Sequence, residues 1–281
     1  MAISGASKRM GWIGVLVLGA TLGVSTEASA AVAGTLEPGK LSVGSDLTYP
    51  PYTYLDQGQP AGFDPEFMNN LGSNLGVATT FLDTRFANLI IGVNANRFDV
   101  IASALYVNPE RATQVDFLPY LKSGASLMVR SADGFRPKGP EDLCGKKIGS
   151  IKGGSWIPKL QAVSRETCEA HNQPPLEVRE FPTSPEAAQA LLAQAVDVQI
   201  EDAAVAKITA EKLQGRIRIS SRELIYPVVI GLAVRKANSE LLADLRKGFE
   251  AMKADGKYQA LLTRYNLGEP TQADIDKALG K

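Results

Sequence analysis

Short apolar runs alternate along this chain with stretches in which apolar residues recur every three or four positions, the rhythm of strands alternating with helices. Leu41 to Ser45 reads as a first strand. Asp64-Pro65-Glu66 then caps a helix whose Phe67, Met68, Leu71 and Leu75 share one face, and Gly76 stops it. Thr79 to Leu82 is the next strand, Phe86 to Asn94 a helix with Leu89, Ile90 and Val93 inward, and Phe98 to Ala102 a further strand.

The same rhythm returns downstream. Lys147 to Ile151 reads as a strand, and the alanine-rich helix Pro185 to Ala195 feeds Val196-Asp197-Val198-Gln199-Ile200. The helix ending near Asn96 feeds Phe98-Asp99-Val100-Ile101 in the same way, an echo that implies two lobes of related build. Ser131 to Lys138, rich in Gly, Pro and Lys, is a loop just beyond a candidate hinge. Ser239 to Asp255 is the clearest amphipathic helix, with Leu241, Leu245, Phe249 and Met252 on one stripe and Gly256 at its end; it is expected to pack on a lobe. Strands and helices alternating at this spacing predict an α/β fold with largely parallel sheets.

Composition narrows the classes. Lys8 and Arg9 precede an apolar run from Gly11 to Val24 and an Ala28-Ser29-Ala30 site, so residues 1–30 read as a secretory signal cleaved near Ala30. No Cys follows that site, and no lipid anchor is expected there. The remaining chain, about 250 residues, is large enough for two lobes with separate cores. Thirty basic and thirty acidic residues cancel, which removes the electrostatic attraction that nucleic-acid binders use. Cys144 and Cys168 are the only cysteines, and in an oxidising compartment they are expected to form a disulfide rather than two free thiols. Its stabilisation by loop entropy is about 3 kcal/mol. With one histidine and no Cys-x-x-Cys there is no metal site to predict.

Asn108-Pro109-Glu110-Arg111 carries the most chemistry. Asn108 is a good N-cap and Pro109 a good first helical residue, so Arg111 falls in the first turn. A cation there opposes the helix dipole by a few tenths to about 1 kcal/mol. A ligand carboxylate gripped by both arms of the guanidinium offsets that; a surface pairing with Glu110 or Asp116 is the competing reading. Lys152-Gly153-Gly154-Ser155-Trp156 follows a strand, and its bare N–H groups either hold an anion or make an ordinary strand-to-helix turn. His171, the only histidine, sits in a polar surface segment and is a poor general base, and neither a Gly-x-Ser-x-Gly elbow nor a Walker A loop is present. No catalytic residue and no cofactor is expected.

The ordered motifs resemble those of the periplasmic solute-binding proteins of ABC importers, in the branch that binds polar amino acids, over roughly Leu41 to Leu267. They run from Gly44-Ser45-Asp46 with Tyr49-Pro50-Pro51-Tyr52 and Gly62-Phe63-Asp64, through Pro109-Glu110-Arg111 with Val115-Asp116-Phe117. They continue through Leu143 to Gly149 with Gly153-Gly154-Ser155 and Asp197 to Asp202, and end at Ala254 to Tyr258 with Arg264-Tyr265. The resemblance implies a two-lobed fold with two hinge-crossing segments and a central ligand cleft. Lobe 1 would comprise 31–124 and 229–281, and lobe 2 would comprise 125–228. It implies a monomeric periplasmic receptor that closes on a small zwitterion and presents it to a membrane permease, without nucleic acid.

Residue by residue, the resemblance assigns Arg111 to the ligand α-carboxylate with help from Gly154 and Ser155, and Asp202 to the α-ammonium. Asp202 also has its own physical case, since a carboxylate at the C-terminal end of an apolar parallel strand points into the crevice. It can equally cap a helix from Ala203 to Ala210, and the two roles are compatible. Glu201 is expected to face the other way because strand side chains alternate. Tyr49 and Phe86 match aromatic positions against the ligand side chain, with lobe core as the alternative, and Asp46 matches a position at the distal end of the ligand. One departure stands out: the family shows Ser or Thr five residues before the arginine, and here Tyr106 fills that place, with Ala104 two before it. Two other functions share this fold, a dehydratase of the cyclohexadienyl type and a sensory binding protein. The dehydratase needs a second cation or acid in the cleft, and none is assignable from the sequence.

Overall fold

The first strand, β1 (Lys40–Ser45), buries residues on both faces, as an interior strand of a parallel sheet must. The computed structural model describes residues 1–5 and 32–281. The basic, apolar and Ala-Ser-Ala segments read as a secretory signal lie outside the described residues. After β1 come a meander of β2 (Thr48–Tyr49), β3 (Thr53–Asp56) and β4 (Gln59–Ala61), then α1 (Phe63–Leu75), β5 (Ala78–Asp83), α2 (Leu89–Asn94) and β6 (Val100–Ile101). The one-turn α3 (Pro109–Ala112) leads into the long β7 (Val115–Arg130). The second half holds β8 (Lys147–Ile151), α4 (Ile157–Val163), β9 (Glu177–Phe181), α5 (Ser184–Leu192), β10 (Val198–Asp202), α6 (Ala203–Lys212) and β11 (Ile217–Ile219). The long β12 (Ile225–Arg235) returns to α7 (Ser239–Ala254), α8 (Lys257–Tyr265) and α9 (Gln272–Ala278).

The strand order β5-β1-β6-β12-β7-β10-β8-β9 contains the echo read from the sequence. On each side the first strand of a unit is central, the second lies outside it, and the third lies inside, all parallel. The antiparallel pair β7 and β12 joins the two halves, β12 bonding β6 and β7 bonding β10. Their pairing slips between Ile225 and Val228, opposite Gly124, and again between Ile230 and Gly231. A bulge of this kind bends a strand and loosens its ladder locally.

Most elements form where the patterns put them, with informative differences. Gly76 ends α1 in the left-handed conformation, φ 68°, where glycine lacks the Cβ penalty. Asp64 does not cap α1: the N-cap is Gly62, and the Asp64 carboxylate instead accepts from the Ala104 N–H at 2.9 Å and the Tyr120 hydroxyl at 2.6 Å. Tertiary donors outcompete the local cap because the carboxylate is fully buried. The helix expected over 86–94 starts as a 3₁₀ turn, Phe86–Asn88. The strand expected over 98–102 is regular only at Val100–Ile101, although Asp99 N–H to Ser42 O and Ala102 N–H to Gly44 O extend the bonding. The α7 stripe Leu241, Leu245, Phe249 and Met252 is buried, and Gly248 lets Leu75 of α1 approach so that a Cβ there would lie 2.9 Å from it. Cys144 and Cys168 are joined in a disulfide.

Candidate functional site

Four strands deliver their following residues to one place: Asp46 and Tyr49 after β1, Ala104 and Tyr106 after β6, Gly153 to Trp156 after β8, and Glu201 with Asp202 at the end of β10. These are carboxyl ends of parallel strands, where the helices that follow turn away and leave a crevice.

Arg111 enters this crevice from α3. Asn108 caps the turn, its side chain accepting the Arg111 N–H at 2.7 Å, and Pro109 is the first helical residue. Because α3 is a single turn, the dipole opposing the guanidinium is weak, and the expected penalty shrinks with it. The side chain points inward and is only 8% exposed. Its Nη1 donates to the Tyr106 carbonyl at 2.8 Å, its Nη2 to the Gly153 carbonyl at 2.9 Å, and its guanidinium lies 5.4 Å from the Phe86 ring centre. Burial lowers its pKa to about 10, leaving it a cation at neutral pH. The surface pairing is not what forms: Asp116 takes Lys236 at 2.9 Å, and Arg111 makes no ion pair with a carboxylate among the described residues.

Tyr49, Phe86, Ala104, Tyr106, Arg111, Gly154 and Ser155 line one small cavity, together with Ile151 and Trp156. Its volume is about 10 Å³, close to the minimum for one water molecule. A guest larger than water does not fit that cavity, while Phe86, Arg111, Gly153, Gly154 and Ser155 also border a wider one of about 300 Å³. Ala104 holds a left-handed backbone, φ 46°, a conformation that a non-glycine residue keeps only when its surroundings enforce it. The N–H of Gly154 is donated to Ile151 O at 3.2 Å, so in this arrangement the anion-holding donors expected of the glycine turn reduce to Ser155.

The carboxylates occupy three environments. Asp46 accepts from the Phe86 N–H at 2.8 Å and the Thr48 hydroxyl at 2.6 Å and pairs with Arg85 at 3.1 Å; burial still raises its pKa. It lies outside the small cavity. Asp202 serves as the N-cap of α6, accepting from the Ala204 N–H at 2.9 Å, while its other oxygen accepts from the Tyr106 hydroxyl at 2.5 Å and the Ser123 hydroxyl at 2.7 Å. Burial raises its pKa against the pull of those donors.

Glu201 corrects the expectation that it faces away. Its side chain is fully buried and accepts from the Tyr49 hydroxyl at 2.6 Å, the Gln199 amide at 3.1 Å, its neighbour's N–H at 2.9 Å and the Ser184 hydroxyl. Alternation holds, since Glu201 bonds Gln199 two residues before it and shares no side-chain partner with Asp202, but the longer Glu201 side chain also reaches Tyr49. Burial pushes the Glu201 pKa up to about 7 despite four donors.

Trp156, expected only as part of the glycine turn, lines the cavity as well. It stands edge-on to Tyr106 at 5.7 Å, and its indole N–H donates to Ser150 at 2.7 Å. Its position directly after Gly153-Gly154-Ser155 was the available signal. His171 is exposed and remote from this cluster in its bonding, its Nδ1 lying 2.7 Å from Thr167 O.

Two α/β halves that share a crevice at their strand ends and are joined by two long strands define a two-lobed binding-protein architecture. Residues 41–269 match the bacterial extracellular solute-binding proteins, family 3, and the chain belongs to that family. It is similar to the L-cystine-binding protein TcyJ of Escherichia coli (strain K12), at 28% identity over 92% of this chain and 95% of that protein. The histidine-binding periplasmic protein of the same organism is 26% identical over 89% of this chain and 96% of its own length. Among solved structures, an ancestral arginine-binding protein bound to arginine superposes with a TM-score of 0.74 at 31% identity, covering 81% of this chain and 98% of that one.

Proposed function

We propose that this protein captures an amino acid or a related zwitterion in the cleft behind Arg111 and delivers it to an ABC-type membrane permease. The observation that carries the reading is a buried arginine whose guanidinium is held by carbonyls from both sides of the cleft, with Asp202 outside that cavity at the far end of the Tyr106 side chain. Arg111 receives the α-carboxylate, helped by Ser155, and Asp202 the α-ammonium after Tyr106 gives up its bond. Tyr49, Phe86 and Trp156 flank the ligand side chain, and Asp46 with Arg85 sets the polarity at the Phe86 end. The relatives named for cystine, histidine and arginine support a polar ligand of this class.

In this reading the lobes are 31–124 with 229–281 and 125–228, which puts both boundaries at the slip in the β7 and β12 ladder. The chain works as a periplasmic monomer after removal of residues 1–30, binds no nucleic acid and catalyses nothing. A thermal-shift screen of the purified protein against the twenty amino acids and L-cystine is expected to give at least one saturable rise in Tm. Arg111→Ala should weaken that ligand about a hundredfold, in keeping with loss of a buried charge-assisted pair. A screen without any rise, or an unchanged affinity in Arg111→Ala, defeats the assignment.

The dehydratase alternative needs an acid in the cleft, and the candidate is Glu201, which is fully buried behind the cavity and accepts from its Tyr49 hydroxyl at 2.6 Å. Incubation with prephenate or arogenate and detection of the aromatic product tests it.

A further inference from the structure

Beside the Arg111 cavity lies a far larger one, about 630 Å³, that the amino-acid reading does not use. The two share Ser155, and Ser123, whose hydroxyl holds Asp202, lines the larger one. Its walls come from the 107–109 loop, the two long strands near their slip, α4 and the C-terminal α9. The volume is of the size that holds small organic ligands, which run from about 300 to 1,000 Å³.

The lining has two characters. Val107, Pro227, Val228, Val229 and Leu224 make an apolar floor, and Leu224 is 50% exposed, a large apolar side chain left open to solvent there. Lys122, Lys159 and Lys277 stand around it, with Asp274 as the lone acidic residue of the lining. Asp274 is already engaged, its Oδ2 accepting from the Thr271 N–H at 2.9 Å and the Thr271 hydroxyl at 2.8 Å. Lys159 lies 4.7 Å from the Tyr226 ring centre, and none of the three lysines forms an ion pair among the described residues. Burial, and then the nearby Lys277 charge, lower the Lys159 pKa, and the single Asp274 carboxylate, which feels the Lys122 and Lys277 charges, leaves the three cations in excess.

We propose that this pocket is a second binding site, for an organic anion with an apolar body, such as an aryl or medium-chain carboxylate. The lysines take the acidic group and the Val, Pro and Leu floor takes the body. A bare phosphate would satisfy only the first, and a neutral apolar molecule only the second.

The test uses 8-anilinonaphthalene-1-sulfonate as a fluorescent apolar anion on the purified protein. Saturable one-site binding is expected, displaced by octanoate and benzoate and at least about tenfold less well by inorganic phosphate. The exposed pair Lys159→Glu/Lys277→Glu should weaken the probe at least about tenfold. The charge-matched pair Lys207→Glu/Lys212→Glu should leave it unchanged. Equal loss in both pairs, or no loss in either, overturns the site, as does displacement by phosphate as effective as by octanoate. Loss of the probe in Arg111→Ala with retention in Lys159→Glu/Lys277→Glu also overturns it, because the probe then sits in the amino-acid cleft. Failure here leaves the amino-acid screen unaffected, so the two readings fail separately.

Discussion

At the residue scale, the decisive pair is Tyr106 and Asp202. In the proposed reading an incoming ammonium needs the Asp202 oxygen that the Tyr106 hydroxyl occupies, so that bond competes with the ligand. A neutral-to-charged hydrogen bond of this kind is worth about 1.5–3 kcal/mol net, and losing it in full would change affinity roughly ten- to 150-fold. Tyr106→Phe is therefore expected to tighten amino-acid binding by about three- to tenfold in calorimetry. Weaker binding in the variant would mean that the hydroxyl contacts ligand instead. Arg111 was legible because its cap, Asn108, and its first-turn proline are neighbours in the chain. The Tyr49 to Glu201 and Tyr106 to Asp202 bonds join residues 152 and 96 positions apart, a separation that local pattern does not encode.

At the scale of elements, α2 is held against β6 and β1 through one ring. Phe98 packs against Gly44 of β1 and Gly92 of α2, where a Cβ at Gly92 would lie 2.6 Å from the ring. Alanine in a helix is favoured over glycine by about 0.5–1 kcal/mol, whereas overpacking a buried ring costs about 1–3 kcal/mol. The second effect is larger, so Gly92→Ala should lower Tm by roughly 2–8 °C, and an unchanged Tm would show that the ring has room. The Cys144 to Cys168 crosslink spans 24 positions. Loop entropy makes its loss worth about 3 kcal/mol, so Cys144→Ser/Cys168→Ser should melt roughly 6–12 °C lower by calorimetry. The same scale explains the Asp64 error: an acidic residue before a helix reads as a cap, and only the arrival of Tyr120 and Ala104 gives it better donors.

At the scale of the whole molecule, burial of carboxylates along the cleft and beneath it sets a pH dependence. Glu201 and Asp64 each have a folded pKa of about 7, raised by burial above ordinary unfolded carboxylate values near 4. The folded chain therefore holds protons that the unfolded chain has released, and stability falls as pH rises from about 4 to 7. Asp244, Asp255 and Asp274, held low by hydrogen bonds, act in the opposite sense and only at pH below about 4. The urea midpoint is expected to drop between pH 5 and 8 by an amount worth on the order of 1–3 kcal/mol per buried acid. The drop should be smaller in Glu201→Gln, while a midpoint that rises over this range contradicts the burial account. Local pattern sufficed for the α/β alternation, the repeated half, the amphipathic α7 and the capped turn that carries Arg111, because periodicity, caps and turns act over a few residues; the arginine's inward direction was left open by it. The small cavity of about 10 Å³ beside Arg111, the turning of Glu201 onto Tyr49 and the lysine-rimmed pocket arose only in the tertiary structure. Each depends on which distant side chains burial brings within a few ångströms, and burial is a property of the packed chain rather than of any segment.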